Sequence, residues 1–292
     1  MFPPRKHFRL RLPRRSLALG EYTLVMGILN VTPDSFSDGG LYLDTEAAVA
    51  QAIAMEAAGA HIIDIGGEST RPGSAGVSAN EELRRILPVL ENLRGKIHIP
   101  ISVDTSKAEV AKAAADAGAE ILNDVTGLRN DPRIADVAQR QKLGLILMHM
   151  RGTPQTMQQA PFARNVIRDV TTGLRDSIAE AVNAGISKRQ IVIDPGIGFG
   201  KSHEQNCEII QRLPELAKLG FPLMLGTSRK SFLGTALNHG DGKDRVWGTA
   251  ATVAAGILQG AHIVRVHDVA DMAQVARMTD VLRSPGRLHS SR

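Results

Sequence analysis

Polar residues able to hold a small polar molecule recur in this chain directly behind short apolar runs. Asn30 follows YTLVMGIL, Asp104 follows ISV, Asn123 follows EIL, His149 follows GLILM and Asp194 follows IVI. Lys230 lies just beyond PLML, and Arg265 and His267 flank the end of HIVRV. Carboxylates and carboxamides accept hydrogen bonds from ring N–H groups, while Lys, Arg and His donate to carbonyl or phosphoryl oxygens. Taken singly, each Asp or Asn fits the N-cap of a following helix. Asp124 and Asp268 are read that way and left out of the site. Caps do not explain the whole set, because they need neither Lys nor Arg at the same rim. Two polar, glycine-bearing segments, NVTPDSFSDGG from Asn30 and GGESTRPG from Gly66, stand behind the first two runs. An apolar strand followed by a polar loop is how a barrel or an open sheet presents catalytic groups.

The elements that must position these residues alternate along the chain. Candidate strands are 23–29, 61–65, 99–103, 120–122, 144–148, 191–193, 222–225 and 262–266. Helical patterns at 45–58, 80–93, 107–117, 133–141, 164–184, 204–219, 245–259 and 269–282 separate or follow them. Eight βα units without a linker point to a single (β/α)8 TIM barrel, with its active site at the C-terminal ends of the strands. An open doubly wound sheet would leave two edges to protect and is less economical. The domain reading is therefore a barrel over 21–282, a basic disordered arm over 1–20 and a flexible tail over 283–292.

Composition sets limits on partners. At 292 residues, 43% hydrophobic and only 3% aromatic, the chain suits one large Val/Ile/Leu/Ala core. The net charge of +5 is unevenly placed. Arg5, Lys6, Arg9, Arg11, Arg14 and Arg15 stand in an acid-free N-terminus, and Arg283, Arg287 and Arg292 at the other end. Removing those nine charges from +5 leaves −4 on the body, which argues against a nucleic-acid surface. The single Cys207 excludes an intrachain disulfide and fits a reduced cytoplasm, and no run is long enough to span a membrane.

Beyond the two loops stand ISVDT (101–105), NDVTG (123–127), MHMRGTP (148–154), DPGIGFGK (194–201), GTSRKS (226–231) and RVHD (265–268). In this order, over residues 22–282, they resemble the dihydropteroate synthase family. The resemblance implies condensation of (7,8-dihydropterin-6-yl)methyl diphosphate with 4-aminobenzoate, giving 7,8-dihydropteroate and diphosphate in folate biosynthesis. Given such a pterin, Asp194 and Asn123 suit its donor edge, Lys230 its carbonyl, and Asp104 the remaining ring donors, with Phe199 close by. Arg265 and His267, two residues apart on one strand, project to the same side and suit the diphosphate. Asn30 resembles the family's Mg2+ ligand. Phe36, Thr70, Arg71 and Pro72 offer a slot for aminobenzoate, whose carboxylate could meet a helix beginning near Arg229–Ser231; Phe36 equally suits an anchor for its own loop. Thr70 also borders the pterin diphosphate. Asp104 or Asp38 would offset positive charge on the reacting methylene. The family further implies a homodimer through the barrel's helices and sensitivity to sulfonamides, which imitate aminobenzoate.

The segment Gly196–Ser202 has three residues between Gly196 and Gly200 where a Walker loop has four, so it reads as a glycine-lined turn behind Asp194. Two other readings share the pterin pocket: a methyltetrahydrofolate-dependent methyltransferase and a non-catalytic pterin-binding paralogue. The intact cationic pair and both loops favour the synthase.

Overall fold

The computed structural model describes residues 2–32, 40–69, 74, 76–153, 156–157, 163–238 and 245–284. The chain opens with an antiparallel hairpin, β1 (Phe8–Arg11) and β2 (Ser16–Leu19). Then follow β3 (Leu24–Asn30), α1 (Gly40–Ala57), β4 (Ile62–Gly66), α2 (Ala79–Leu93), β5 (Ile101–Asp104), α3 (Ala108–Asp116), β6 (Ile121–Asp124) and α4 (Arg133–Gln141). The second half contains β7 (Gly144–Met148), α5 (Val166–Asn183), β8 (Ile191–Asp194), α6 (His203–Gln211), α7 (Leu213–Leu216), β9 (Met224–Leu225), α8 (Ser231–Leu237), α9 (Val246–Leu258), β10 (Ile263–Val266) and α10 (Val269–Arg283).

The eight strands from β3 to β10 pair in the order β8-β7-β6-β5-β4-β3-β10-β9, with parallel neighbours throughout. Closure between β8 and β9 rests on the Ile193–Leu223 bridge, with Ile193 N–H donating to Pro222 O at 3.0 Å. The result is the (β/α)8 barrel expected from the sequence. The expected helix over 204–219 is broken after Gln211, because Pro214 lacks the N–H that a helix interior needs and sits instead in the first turn of α7.

Strand pleating divides each run into two faces. Ile63, Ile65, Val103, Leu122, Leu145, Leu147, Ile191, Ile193, Val264 and Val266 pack outward against the helices. Leu24, Met26, Ile62, Ile121, Ile146, Val192, Met224 and Ile263 point inward and form a separate apolar layer. Two residues further along the same faces stand Asp64, Asn123, Asp194 and Arg265, joined by Asp104 from β5. One apolar layer and one polar layer therefore share the barrel's interior.

The N-terminal arm corrects the expectation of disorder. Alternation in FRLR and SLAL turns Leu10 and Leu19 inward, and with Leu12 they close the amino-terminal end of the inward layer. A side chain at Gly144 would come within 2.7 Å of Leu12 Cδ2, which shows how closely the plug is seated. Three of the arginines that suggested a solvated tail, Arg5, Arg14 and Arg15, are partnered. Arg5 pairs with Asp280 at 2.8 Å and donates to Thr23 Oγ1 and to the carbonyls of Gly20 and Ala261. Arg15 pairs with buried Glu120 at 3.0 Å. Residues 285–292 of the expected tail lie outside the described residues, and α10 extends through Arg283.

Candidate active site

The site begins with register. Asn30 on β3 pairs with Gly66 on β4, Gly66 with Asp104 on β5, and Asp104 with Asn123 on β6. Four neighbouring strands thus end at one level. On the far side, Met148 pairs with Asp194, and a Cβ at Gly226 would lie 3.8 Å from Arg265 Cβ and 4.0 Å from Asp194 Oδ2. The ends of β8, β9 and β10 therefore meet the same cavity.

Arg265 is the hub. Its Nε donates to Asp64 Oδ2 at 2.6 Å and its Nη2 to Asp104 Oδ2 at 2.8 Å. Asp64 Oδ2 also accepts from Asn123 Nδ2 at 3.0 Å. Asp64 is fully buried and Asp104 nearly so. Burial pushes the Asp104 carboxyl up, Arg265 pulls it down, and Asp64 pushes it up again. Asp64 was not among the residues expected from the sequence. An acid inside AHIIDI is its signal, since a carboxylate there must find a partner.

Asp194 is buried, and its Oδ1 accepts from Gly196 N–H at 2.7 Å. Burial raises its carboxyl, opposed by the Gly196 N–H and by Lys230, Arg265 and Lys201. The turn behind it runs through Gly196, Gly198 and Gly200, all with positive φ. At Gly196 a Cβ would fall 1.9 Å from His149 O, so no other residue fits. Lys201 donates to the carbonyls of His149 and Phe199 at 3.1 and 2.9 Å rather than to Asp194. Its ammonium, pushed down to about 7 mainly by burial, belongs to the scaffold of the turn.

Lys230 Nζ lies 4.0 Å from the centroid of the Phe199 ring, and burial, with Arg265 beside it, lowers it to about 8, although Asp194 and Asp104 oppose the shift. Phe199 packs with Val125, Met148, Met150 and Met157 into an adaptable apolar wall. His267 is held by Ser228, whose Oγ lies 2.9 Å from Nδ1 and accepts the His267 backbone N–H at 3.1 Å. A Ser228 hydroxyl donating to Nδ1 leaves the ring proton on Nε2. Burial, then Arg265 and Arg229, push the imidazole down to about 3, so it is a neutral donor. Ser228 had no signal of its own in the sequence.

Three residues sort differently from their sequence positions. His149 follows inward-facing Met148 and so takes the opposite face, where a Cβ at Gly173 of α5 would touch its Cδ2 at 2.6 Å. Asp268 stands at the N-cap of α10 as expected, but its side chain makes no capping hydrogen bond and pairs with Arg229 instead. Asp124 is not the N-cap of the following helix, a place taken by Pro132; it accepts instead from the N–H groups of Thr126 and Leu128 in the turn after β6. Ser231 opens α8 and is exposed. Phe36, Asp38, Thr70, Arg71 and Pro72 lie outside the described residues.

Comparison with known proteins gives this geometry its family. A family model described as "pterin binding enzyme" matches residues 26–267. A dihydropteroate synthase of Synechocystis sp. is 51% identical over 263 residues, covering 90% of this chain and 91% of its own. The chain belongs to the dihydropteroate synthase family. Among solved structures of the family, the Xanthomonas albilineans enzyme with 4-aminobenzoic acid is 41% identical, with a TM-score of 0.89 over 96% of this chain and 99% of its own. The same enzyme in complex with 7,8-dihydropteroate superposes with a TM-score of 0.85 at 40% identity, covering 94% and 99%.

The residues fit a metal brought by a ligand rather than one caged by the protein. Among the described residues no group of three His, Cys, Asp or Glu could hold an ion. Asn30 offers a neutral oxygen, and a methyl at Gly66 would lie 3.9 Å from its Oδ1 and 3.6 Å from Asp104 Cβ. The glycine keeps that space open.

Proposed function

We propose that this rim seats the dihydropterin between Asp194, Asn123, Asp104 and Lys230, and holds its diphosphate against Arg265 and His267. The reaction is that of the family: (7,8-dihydropterin-6-yl)methyl diphosphate and 4-aminobenzoate give 7,8-dihydropteroate and diphosphate. The observation that carries the site assignment is Arg265, a guanidinium steadied by two carboxylates at the mouth of a polar cavity, with His267, held by Ser228, two residues along the same strand end.

The chemistry follows from these groups. The C–O bond to diphosphate breaks first, leaving a methylene cation that the electron-rich ring delocalises. Arg265 and the His267 N–H stabilise the departing charge, and Asp104 or Asp38 offsets the cation. The aryl amine, neutral at physiological pH, forms the C–N bond and releases one proton, so no covalent enzyme nucleophile is needed. Asn30 would hold Mg2+, which in its bound state neutralises diphosphate charge. Phe36, Thr70, Arg71, Pro72 and Ser231 form the aminobenzoate side of the site, with Thr70 also facing the diphosphate.

The chain works on small molecules, in the cytoplasm, as a homodimer. Trp247 in the first turn of α9 is 80% exposed, and Met278 and Leu282 toward the end of the adjoining α10 are each 55% exposed, apolar side chains that a second copy could cover. Among the described residues no helix is long and apolar enough to cross a membrane. The decisive experiment follows diphosphate release by the purified chain. Release should require aminobenzoate and Mg2+ for turnover, and a sulfonamide should compete with aminobenzoate. Pterin uptake without diphosphate release would overturn the reading.

A further inference from the structure

We propose that Asp64, fully buried below the rim, is a positioning residue that sets both Arg265 and Asn123 for the condensation. The inference rests on the assignment of those two residues to the pterin diphosphate. Asp64 stands in the middle of β4, flanked in register by Ile28 on β3 and Ser102 on β5. One of its oxygens, Oδ2, accepts from Arg265 Nε at 2.6 Å and from Asn123 Nδ2 at 3.0 Å.

Each hydrogen bond orients its donor. An ionised carboxylate only accepts, so the Asn123 amide must turn its NH2 toward Asp64. Asn123 Oδ1 is thereby aimed the other way, where it is buried and has no partner. It is an acceptor preset for a ring N–H, and a flipped amide would present a donor in its place.

The Arg265 guanidinium is fixed through one edge, Nε to Asp64 and Nη2 to Asp104. A guanidinium carries five N–H donors, so the remainder stay free for phosphoryl oxygens. Asp104 is itself assigned to the ring, and a bound pterin competes for it. Asp64 has no such second duty, being fully buried. It is the carboxylate that keeps the guanidinium in place through the reaction.

Asp64→Asn tests the proposal, because the neutral amide keeps the shape but can turn its NH2 to Asn123. The kcat/KM for the dihydropterin diphosphate should fall roughly 10- to 100-fold, the range for removing a buried hydrogen bond to a charged group, with the KM for aminobenzoate unchanged. In calorimetry with the diphosphate-free hydroxymethyl dihydropterin, Asp64→Asn should weaken binding in the parent chain and cost nothing more in an Asn123→Ala background. Parent-like kcat/KM, or strictly additive losses across that cycle, would overturn the role. Should the variant not fold, the unaltered chain still decides the matter by 15N NMR. The Arg265 Nε–H should stay protected from solvent exchange with and without the dihydropterin, and rapid exchange in either state refutes the proposal. Binding and NMR need no turnover, so they stand apart from the release assay: no release by the unaltered chain would fault the function, not Asp64.

Discussion

The two ends of the barrel are built on the same strands and do opposite work. At the amino-terminal end, Leu24, Ile62, Ile121, Val192, Met224 and Ile263 meet Leu10, Leu12 and Leu19 of the hairpin in one apolar layer. One pleat repeat higher, Asp64, Asn123, Asp194 and Arg265 occupy the same inward face. Buried Asn123 Oδ1 has no partner there. The fold thereby separates stability from recognition: apolar burial is collected at one end, and unsatisfied polarity is concentrated at the other, where a ligand can satisfy it.

The largest effect should come from removing the plug. Each buried leucine truncated costs roughly 2–5 kcal/mol, so losing three approaches the whole 5–15 kcal/mol of a typical domain. A chain lacking residues 1–20 should therefore fail to show a cooperative melt by circular dichroism, and Leu12→Ala alone should lower the urea midpoint while leaving the kcat of the folded enzyme intact. A truncated chain that melts like the parent would make the hairpin an ornament.

At the other end the order reverses. Lys230→Ala should lose roughly 100- to 1000-fold in kcat/KM for the pterin diphosphate, the range for a preorganised donor removed. Its melting temperature should move by only a few degrees, since an ammonium over a ring contributes little to the core.

A finer test uses pH. The Lys230 ammonium titrates near 8 in the folded chain against 10.5 for an ordinary lysine. Below pH 8 it is charged in both folded and unfolded states and its burial is a cost. Between 8 and 10.5 the unfolded chain binds a proton that the folded chain has released, so this residue's contribution to stability falls as pH drops toward 8 and is restored only above 10.5. Pterin affinity should move the other way, falling with rising pH as the donor charge is lost, and Lys230→Met should abolish that limb. A flat affinity profile from about pH 7 to 10 would remove Lys230 from recognition of the carbonyl.

The smallest effect is expected at Ser228→Ala. Losing about 1 kcal/mol of hydrogen bonding frees the His267 ring and should lower kcat/KM several-fold, with only a small drop in the urea midpoint. An unaltered rate would mean that His267 needs no such support.

Much of the site was legible because strand ends announce themselves. Asp104, Asn123, Asp194 and Arg265 each interrupt or end an apolar run, and all four share the cavity. His149 satisfied the same pattern yet faces α5, since the pleat allots alternate residues to opposite faces and the run gave no parity. Asp64 is hidden within a strand, and Ser228 within a loop, because their meaning lies in partners 201 and 39 residues away. The hairpin is obscured for a compositional reason: arginines crowd around three leucines, and their acceptors, Asp280 and Glu120, lie far along the chain.

The order of apolar runs and helices was enough to point to the barrel and to the strand ends as its polar rim, since these depend on local periodicity and residue type, while the family entered through the resemblance of the ordered motifs. Which side chains meet was settled by the packed molecule alone: one arginine spans two carboxylates, a serine holds a histidine, and a basic arm plugs a barrel. Those facts depend on burial and on distances between remote segments, which no local pattern encodes.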